Sequence, residues 1–205
     1  MHLEVIPEKN KNIFLDLNNF KDFYLAGGTS LALQIGHRIS VDFDFFSNKE
    51  ISKNLLSKIK RVFQNNKIII SVNNSDELTV FIDDVKLTFL KYPFSIFFDF
   101  VKCKNIKLLN IKEIAASKAY TIGRRGSFKD YIDLYYILFE NYSDLNEIIE
   151  ISEKKYKDEF NSRLFLEQLI YFDDITDEEI IFLKDKINKE SLKDFFVKEI
   201  KKIIL

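Results

Sequence analysis

The sequence predicts an α/β fold in which a small mixed sheet is followed by a C-terminal helical part. Short apolar runs mixed with helical spacing fill the first half of the chain, whereas the second half has helical spacing alone. Only 5 Gly and 2 Pro occur among 205 residues, which favours long regular elements because these residues interrupt helices and strands. Hydrophobic residues make up 46% of the chain, which is enough to form a buried core.

The first strand is predicted to run into a glycine turn. Phe23–Ala26 is an apolar run that ends at Gly27 and Gly28, a pattern typical of a buried strand entering a turn. We expect Thr29 or Ser30 to cap the short helix that follows, which ends at the next glycine of the sequence. Two glycines allow close approach of a ligand to the backbone, and the helix start and the two hydroxyls offer donors to a phosphate.

A second strand is predicted at Val41–Phe45, where apolar and acidic residues alternate with period two. Asp42 and Asp44 would then project from one face, about 6–7 Å apart at the backbone. Hard cations prefer carboxylate and phosphate oxygens, and a metal pair about 4 Å apart can activate a hydroxyl and neutralise a leaving pyrophosphate. The opposite face of the strand is expected to anchor it in the core through its three apolar residues, Val41, Phe43 and Phe45.

A lone Asp-x-Asp or Gly-Gly pair is common and usually has no function. Here one short helix joins the Gly-Gly motif to the Asp-x-Asp motif, and the strand that carries the acids has one apolar face and one carboxylate face. This combination is much more specific than either motif alone. The sequence therefore predicts a site for phosphate and metal.

Further elements predict two domains, a sheet domain over residues 1–109 and a helical domain over residues 110–205 that completes the active-site cleft. The first is expected to continue with one helix and four strands, at Lys49–Phe63, Lys67–Val72, Leu78–Ile82, Val85–Tyr92 and Ile96–Val101. Asn110 and Glu113 have the spacing of a capping box, and the later helices are expected near Asn110–Ile122, Ser127–Glu140, Asp144–Tyr156, Phe160–Leu169, Asp177–Lys189 and from Ser191 onward.

These motifs resemble the signature of the AbiEii/AbiGii-type nucleotidyltransferase toxins, which belong to the polymerase-beta-like nucleotidyltransferase superfamily. The resemblance extends over about residues 20–140. It includes the following blocks: Gly27-Gly28-Thr29, His37-Arg38-Ile39-Ser40, Asp42-Phe43-Asp44-Phe45-Phe46, Ala115-Ala116-Ser117-Lys118-Ala119 and Arg124-Arg125-Gly126-Ser127-Phe128-Lys129-Asp130-Tyr131-Ile132-Asp133-Leu134.

The resemblance implies a magnesium- or manganese-dependent transfer of a nucleoside monophosphate from a nucleoside triphosphate to an RNA (tRNA-like) or protein acceptor. It implies that Asp42 and Asp44 bind metal and that Gly28 and Thr29 belong to a phosphate-binding turn, to which Gly27 and Ser30 contribute. By the same resemblance Lys118 contacts the nucleotide, and Asp130 matches the acid of the family's Lys-Asp motif and would help to activate the acceptor. Relatives are toxins paired with a separately encoded antitoxin.

Three of these residues also have simpler explanations. Lys118 shares a predicted buried stripe with Ile114 and Ile122, so it needs an anion, either a triphosphate or a neighbouring acid. Asp130 could complete a capping box with Ser127. Arg38 could bind a phosphate or only screen the two aspartates.

One position departs from the family pattern. A third carboxylate is often found on a later strand, and the matching residue here is Thr88, which can neither act as a strong base nor add charge to a metal site. Either two aspartates and substrate oxygens suffice, with Asp130 as the missing acid, or catalysis is weakened.

The charge balance argues against nucleic-acid binding by overall positive charge, because the 31 Lys and Arg are balanced by 32 Asp and Glu. Two local basic clusters could still contact an RNA backbone, although such clusters are more often a solvated surface. The single Cys103 excludes an intrachain disulfide, and no apolar run approaches the roughly 20 residues of a membrane span, so we expect a cytoplasmic protein. The clusters are Arg124, Arg125 and Lys129, and Lys102, Lys104 and Lys107.

Two other functions compete with the enzyme. A catalytically weak relative would bind nucleotide or a partner without turnover, and Thr88 favours that alternative. A nucleotide-sugar glycosyltransferase would also use Asp-x-Asp, but the glycine turn just upstream argues against it.

Overall fold

The computed structural model describes residues 1–124, 127–173, 175 and 178–204. The chain divides into two compact units, a sheet unit of Met1–Ser95 and Asp99–Leu109 and a helical unit of Ile96–Phe98 and Asn110–Leu205. A mixed sheet forms the first unit and helices form the second, which confirms the predicted α/β class.

The sheet unit interleaves helices and strands along the chain. Its α-helices are α1 (Lys11–Asp16), α2 (Gly27–Ile35) and α3 (Leu55–Val62). Its strands are β1 (Tyr24–Leu25), β2 (Phe43–Ser47), β3 (Ile68–Asn73), β4 (Glu77–Ile82), β5 (Val85–Lys91), β6 (Val101–Cys103) and β7 (Ile106–Leu108).

The strand order β3-β4-β5-β2-β1-β7-β6 puts β2 at the centre of the sheet. β2 pairs antiparallel with β1 and parallel with β5. Alternate side chains of these strands, among them Phe43 and Phe45, enter one hydrophobic core with residues of α1, α2 and α3. The opposite face of β2 is therefore the one that carries Asp44.

The helical unit contains α4 (Ile111–Ile122), α5 (Phe128–Phe139), α6 (Leu145–Tyr156), α7 (Ser162–Leu169) and α8 (Lys189–Ile204). α4 contacts α5, α6 and α7, and α8 contacts the same three helices. Tyr131, Phe165 and Phe196 are fully buried in this unit. None of the helices found in the described ranges is long and apolar enough to cross a membrane.

The predicted helix over Asp177–Lys189 is wrong for the residues that the structure describes. Residues 178–188 are not helical, and α8 begins at Lys189 instead. The segment is held to α5, because the Tyr136 hydroxyl donates to the Asp185 carbonyl and Lys184 pairs with Glu140. These tertiary contacts override the local helical pattern.

Three smaller predictions for the sheet unit also need correction. The strand expected at Ile96–Val101 lies at β6 instead, and its partner β7 was not predicted because each has only three residues. α3 is shorter than Lys49–Phe63, since the Ile51 N–H donates to the Ser75 carbonyl at 2.8 Å and leaves that residue outside the helix. Val41 is 45% exposed rather than buried, because β2 begins two residues later.

Candidate functional site

The turn between β1 and α2 requires glycine at its first position. Gly27 has φ +62°, a left-handed conformation that side chains other than glycine rarely adopt. A Cβ added there would lie 2.8 Å from Oδ2 of Asp44. The Asp44 carboxylate therefore lies directly against the start of α2.

Hydrogen bonds fasten the segment before β2 to the same helix start. The Ala26 N–H donates to the Asp44 carbonyl at 2.8 Å. The Thr29 hydroxyl donates to the Asp42 carbonyl and lies 2.7 Å from the Ser40 hydroxyl. Both aspartates are consequently attached through their backbones to the first turn of α2.

The two aspartates differ in exposure. Asp42 is exposed and precedes β2, whereas Asp44 is half-buried within it. Because Phe43 and Phe45 enter the core, Asp44 lies on the opposite face of β2, whereas Asp42 precedes the strand.

The other predicted phosphate ligands make contacts within the protein. Thr29 and Ser30 are buried, and the Ser30 hydroxyl lies 3.4 Å from the Leu109 carbonyl oxygen. Neither residue caps α2, whose N-cap is Ala26. Arg38 is buried and donates to the Ile39 carbonyl at 3.1 Å. The N–H groups at the helix start are thus the donors best suited to a phosphate.

Thr88 stands beside Asp44, where the family resemblance expects a third carboxylate. The parallel register pairs Asp44 with Thr88, and the next pair across the sheet is Thr88 with Thr79. The Thr79 hydroxyl donates to Oε1 of Glu77 at 2.6 Å and lies 3.4 Å from the Thr88 hydroxyl. A row of hydroxyls therefore extends from Asp44 towards Glu77.

The described residues contain no group of three or more His, Cys, Asp or Glu able to hold a metal ion. The Asp44 carboxylate lies beside the helix start, and the Asp42 backbone carbonyl accepts from Thr29 of the same helix. Magnesium is commonly held by one or two carboxylates together with substrate phosphates and water, so this donor set suits a metal that arrives with a nucleotide.

In the helical unit, Lys118 is buried between two acids. Its Nζ lies 2.6 Å from Oδ1 of Asp130 and 2.6 Å from Oδ2 of Asp133. The sequence predicted that Lys118 lies on the buried stripe of α4. Of the two anions that could pair with it, a triphosphate or a neighbouring acid, the structure shows the neighbouring acid. Asp133 was not predicted as a partner, although its spacing of three from Asp130 places both acids on one face of α5.

The capping explanation for Asp130 is wrong. The Ser127 side chain makes no capping bond, and its hydroxyl donates to Oε1 of Glu178 at 2.8 Å. Asp130 instead contributes to the charge cluster around Lys118. Of the basic cluster predicted here, Arg125 lies outside the described residues, and so does Gly126 of the quoted motif.

A second buried ion pair in this unit was missed from the sequence. Glu113 does not complete a capping box with Asn110: its Oε2 accepts from Lys155, while Oε1 accepts from the N–H groups of Phe97 and Phe98. Burial lowers the pKa of Lys155 from its ordinary value, and the hydrogen bond from its ammonium to Glu113 opposes that shift.

Solved structures with a similar fold include proteins described as nucleotidyltransferases. A Helicobacter pylori protein provisionally described as a nucleotidyltransferase aligns with a TM-score of 0.55 and 17% identity, covering 96% of this chain and 98% of that one. MenT4, the nucleotidyltransferase toxin Rv2826c of Mycobacterium tuberculosis H37Rv, aligns with a TM-score of 0.54 and 14% identity, covering 91% of this chain and 81% of that one. The protein therefore has a nucleotidyltransferase fold.

Sequence comparison gives the family. Residues 14–204 match the nucleotidyl transferase AbiEii toxin family of type IV toxin–antitoxin systems, so the chain belongs to that family and is a nucleotidyltransferase. An uncharacterized Aquifex aeolicus (strain VF5) protein, aq_aa25, is 30% identical over 185 residues, which are 89% of this chain and 88% of the relative. Membership implies a nucleoside triphosphate substrate and an antitoxin partner.

Comparing Gly27→Ala with Gly28→Ala should show which glycine is needed for the fold of the turn and which for binding a triphosphate. Gly27→Ala is expected to lower the free energy of unfolding by about 1–3 kcal/mol, because alanine is strained at positive φ and its Cβ would meet Asp44. Gly28 has no positive φ and lies within α2, so Gly28→Ala should leave thermal stability unchanged or higher while weakening triphosphate binding. Equal unfolding temperatures for Gly27→Ala and the wild type would contradict the geometry of the bend.

Lys118→Met should destabilise the helical unit by about 3–5 kcal/mol, because it removes the ammonium that both buried carboxylates contact. The triple variant Lys118→Met, Asp130→Asn, Asp133→Asn removes all three charges and should recover much of that stability in chemical denaturation. A single Lys118→Met variant as stable as the wild type would argue against the ion-pair cluster.

Proposed function

We propose that this protein transfers a nucleoside monophosphate from a nucleoside triphosphate to an RNA acceptor, with a divalent metal ion and release of pyrophosphate. The observation that carries the proposal is the close approach of the Asp44 carboxylate to the Gly27 bend. It brings an acid suited to a cation next to a helix start suited to an anion.

In the reaction, an acceptor hydroxyl oxygen forms a bond to the α-phosphorus while the bond from that phosphorus to the β-phosphate oxygen breaks. When bound, the metal supplies a Lewis acid that polarises the phosphate and offsets charge on the leaving pyrophosphate. Asp42 and Asp44 would hold that ion. Backbone N–H groups at Gly28 and Thr29 would bind phosphate oxygens, while the Thr29 hydroxyl keeps the Asp42 segment in position.

The roles of Lys118 and Asp130 remain predictions of the family resemblance, and that of Arg38 remains a prediction from its place between the turn and the two aspartates. Lys118 would contact the nucleotide, Asp130 would help to activate the acceptor hydroxyl, and Arg38 would bind a phosphate. Completion of the cleft by residues 110–205 likewise stays a prediction.

Asp42→Asn combined with Asp44→Asn should reduce transfer of labelled nucleotide to unfractionated tRNA by roughly two orders of magnitude or more, because the charges that stabilise the transition state are lost. Removing magnesium with a chelator should have the same effect on the wild type. Asp84→Asn is the matched control: this exposed residue of the β4–β5 turn has φ +70°, which asparagine tolerates. Wild-type labelling by the double variant would refute the metal site.

The position of Thr88 supports a second candidate, a weakly catalytic relative that mainly binds nucleotide. Thr88→Asp distinguishes the two candidates, since it introduces a carboxylate at the residue paired with Asp44. If the missing acid limits catalysis, Thr88→Asp should raise the transfer rate severalfold and lower the magnesium concentration needed, whereas Thr88→Ser should change neither. An unchanged or lower rate, in a variant that folds normally by circular dichroism, would show that two aspartates suffice.

A further inference from the structure

The β6–β7 hairpin presents lysines on its exposed face. Its register pairs Lys102 with Lys107, while the neighbouring pair, Cys103 with Ile106, is buried. Lys104 lies in the two-residue turn. From Phe100 to Lys112 the sequence contains no Asp or Glu. The hairpin is therefore a local excess of positive charge in a chain whose net charge is only −1.

This arrangement is unfavourable for the hairpin itself. Like charges directly opposite each other on antiparallel strands destabilise the pair. In the described ranges, none of the three lysines forms an ion pair that would relieve this repulsion. Lys104 has φ +48° and Asn105 φ +65°, a turn geometry that favours Asn or Gly and disfavours lysine at its first position.

A cavity of about 430 Å³ adjoins the hairpin and continues its positive charge. Lys21, Lys102 and Lys107 line it, and the described residues around it include no acid. Its apolar wall includes the rings of Phe20 and Phe23. Cavities of this size accept small ligands, and cations beside aromatic rings suit the phosphate and base of a nucleotide.

We propose that the β6–β7 hairpin, together with Lys21, binds the phosphate backbone of the RNA acceptor. This inference rests on the proposed function and deepens it, because it names the surface that would hold the RNA acceptor.

In the sheet, β7 lies two strands from β2, about 10 Å across at the usual strand spacing. Leu25 pairs with both Phe45 and Leu108, so Asp44 and Lys107, each one residue before these partners, belong to the same face of the sheet. An RNA held by Lys102 and Lys107 would therefore need only a few nucleotides to bring its end to Asp44. The cavity beside Lys21, which Phe45 of the core face also lines, would receive a part of the RNA that passes the edge strand β6.

Binding is tested on the full chain without nucleotide and with a chelator present, so that the readout does not depend on catalysis. The probe is a fluorescent single-stranded oligoribonucleotide, followed by anisotropy across a salt series. Lys102→Gln with Lys107→Gln should weaken binding about tenfold at low salt and flatten the salt dependence by about 0.7 per lost phosphate contact. Lys60→Gln, an exposed lysine at the end of α3, is the control that should change neither quantity.

Lys104 offers a variant that separates charge from folding. Lys104→Asn should raise the unfolding temperature or leave it unchanged, because asparagine suits the turn, and yet weaken RNA binding. Lys104→Arg should retain the affinity. A turn with only a structural role would not give higher stability and weaker binding in the same variant.

Two results would overturn the proposal: RNA affinity and salt dependence that are the same in the hairpin variants and the wild type, or displacement of the RNA by polyglutamate as effective as by unlabelled RNA. The second result would identify a surface for acidic proteins instead. Hairpin-dependent RNA binding by a chain that transfers no nucleotide would support the RNA site and contradict the proposed function, so the two failures are distinguishable.

Discussion

The contact between Gly27 and Asp44 is the constraint on which the candidate site depends. With Oδ2 of Asp44 only 2.8 Å from where a Cβ of residue 27 would lie, the bend and the carboxylate can share this space only if residue 27 is glycine. The hydrogen bond from Ala26 N–H to the Asp44 carbonyl fixes the same approach through the backbone. A carboxylate and the positive end of a helix are thereby held together before any ligand arrives.

Packing on the core face of β2 maintains the contact between Asp44 and Gly27 on the opposite face. Side chains alternate along β2, so a shift of its register by one residue would turn Asp44 into the core and expose Phe43 and Phe45. Both phenylalanines are almost completely buried, and β5 supplies Leu87 and Phe89 beside them. The cost of exposing these rings is therefore also what keeps Asp44 opposite the helix start and beside Thr88.

What could be predicted from the sequence was local. The glycine bend, the alternation of Asp42 to Phe45 and the buried position of Lys118 each follow from spacing within one or two elements. The partner of a buried charge cannot be predicted from such local spacing. Asp133 reaches Lys118 only because α4 and α5 pack together, and Glu113 pairs with Lys155 instead of capping its own helix. The protein contacts of the Thr29 hydroxyl likewise depend on a segment eleven residues away.

Two of the hairpin turns of the sheet place a residue other than glycine or asparagine at a first position with positive φ. Asp83 and Lys104 both have positive φ in two-residue turns. Asp83 has a local reason to be there, since its carboxylate accepts from Asn66 and from the Lys67 N–H. The Lys104 side chain, by contrast, forms no ion pair in the part of the chain that the structure describes. A residue that opposes its backbone conformation without local compensation marks a place to test for a ligand, and for a lysine the ligand to test is an anion.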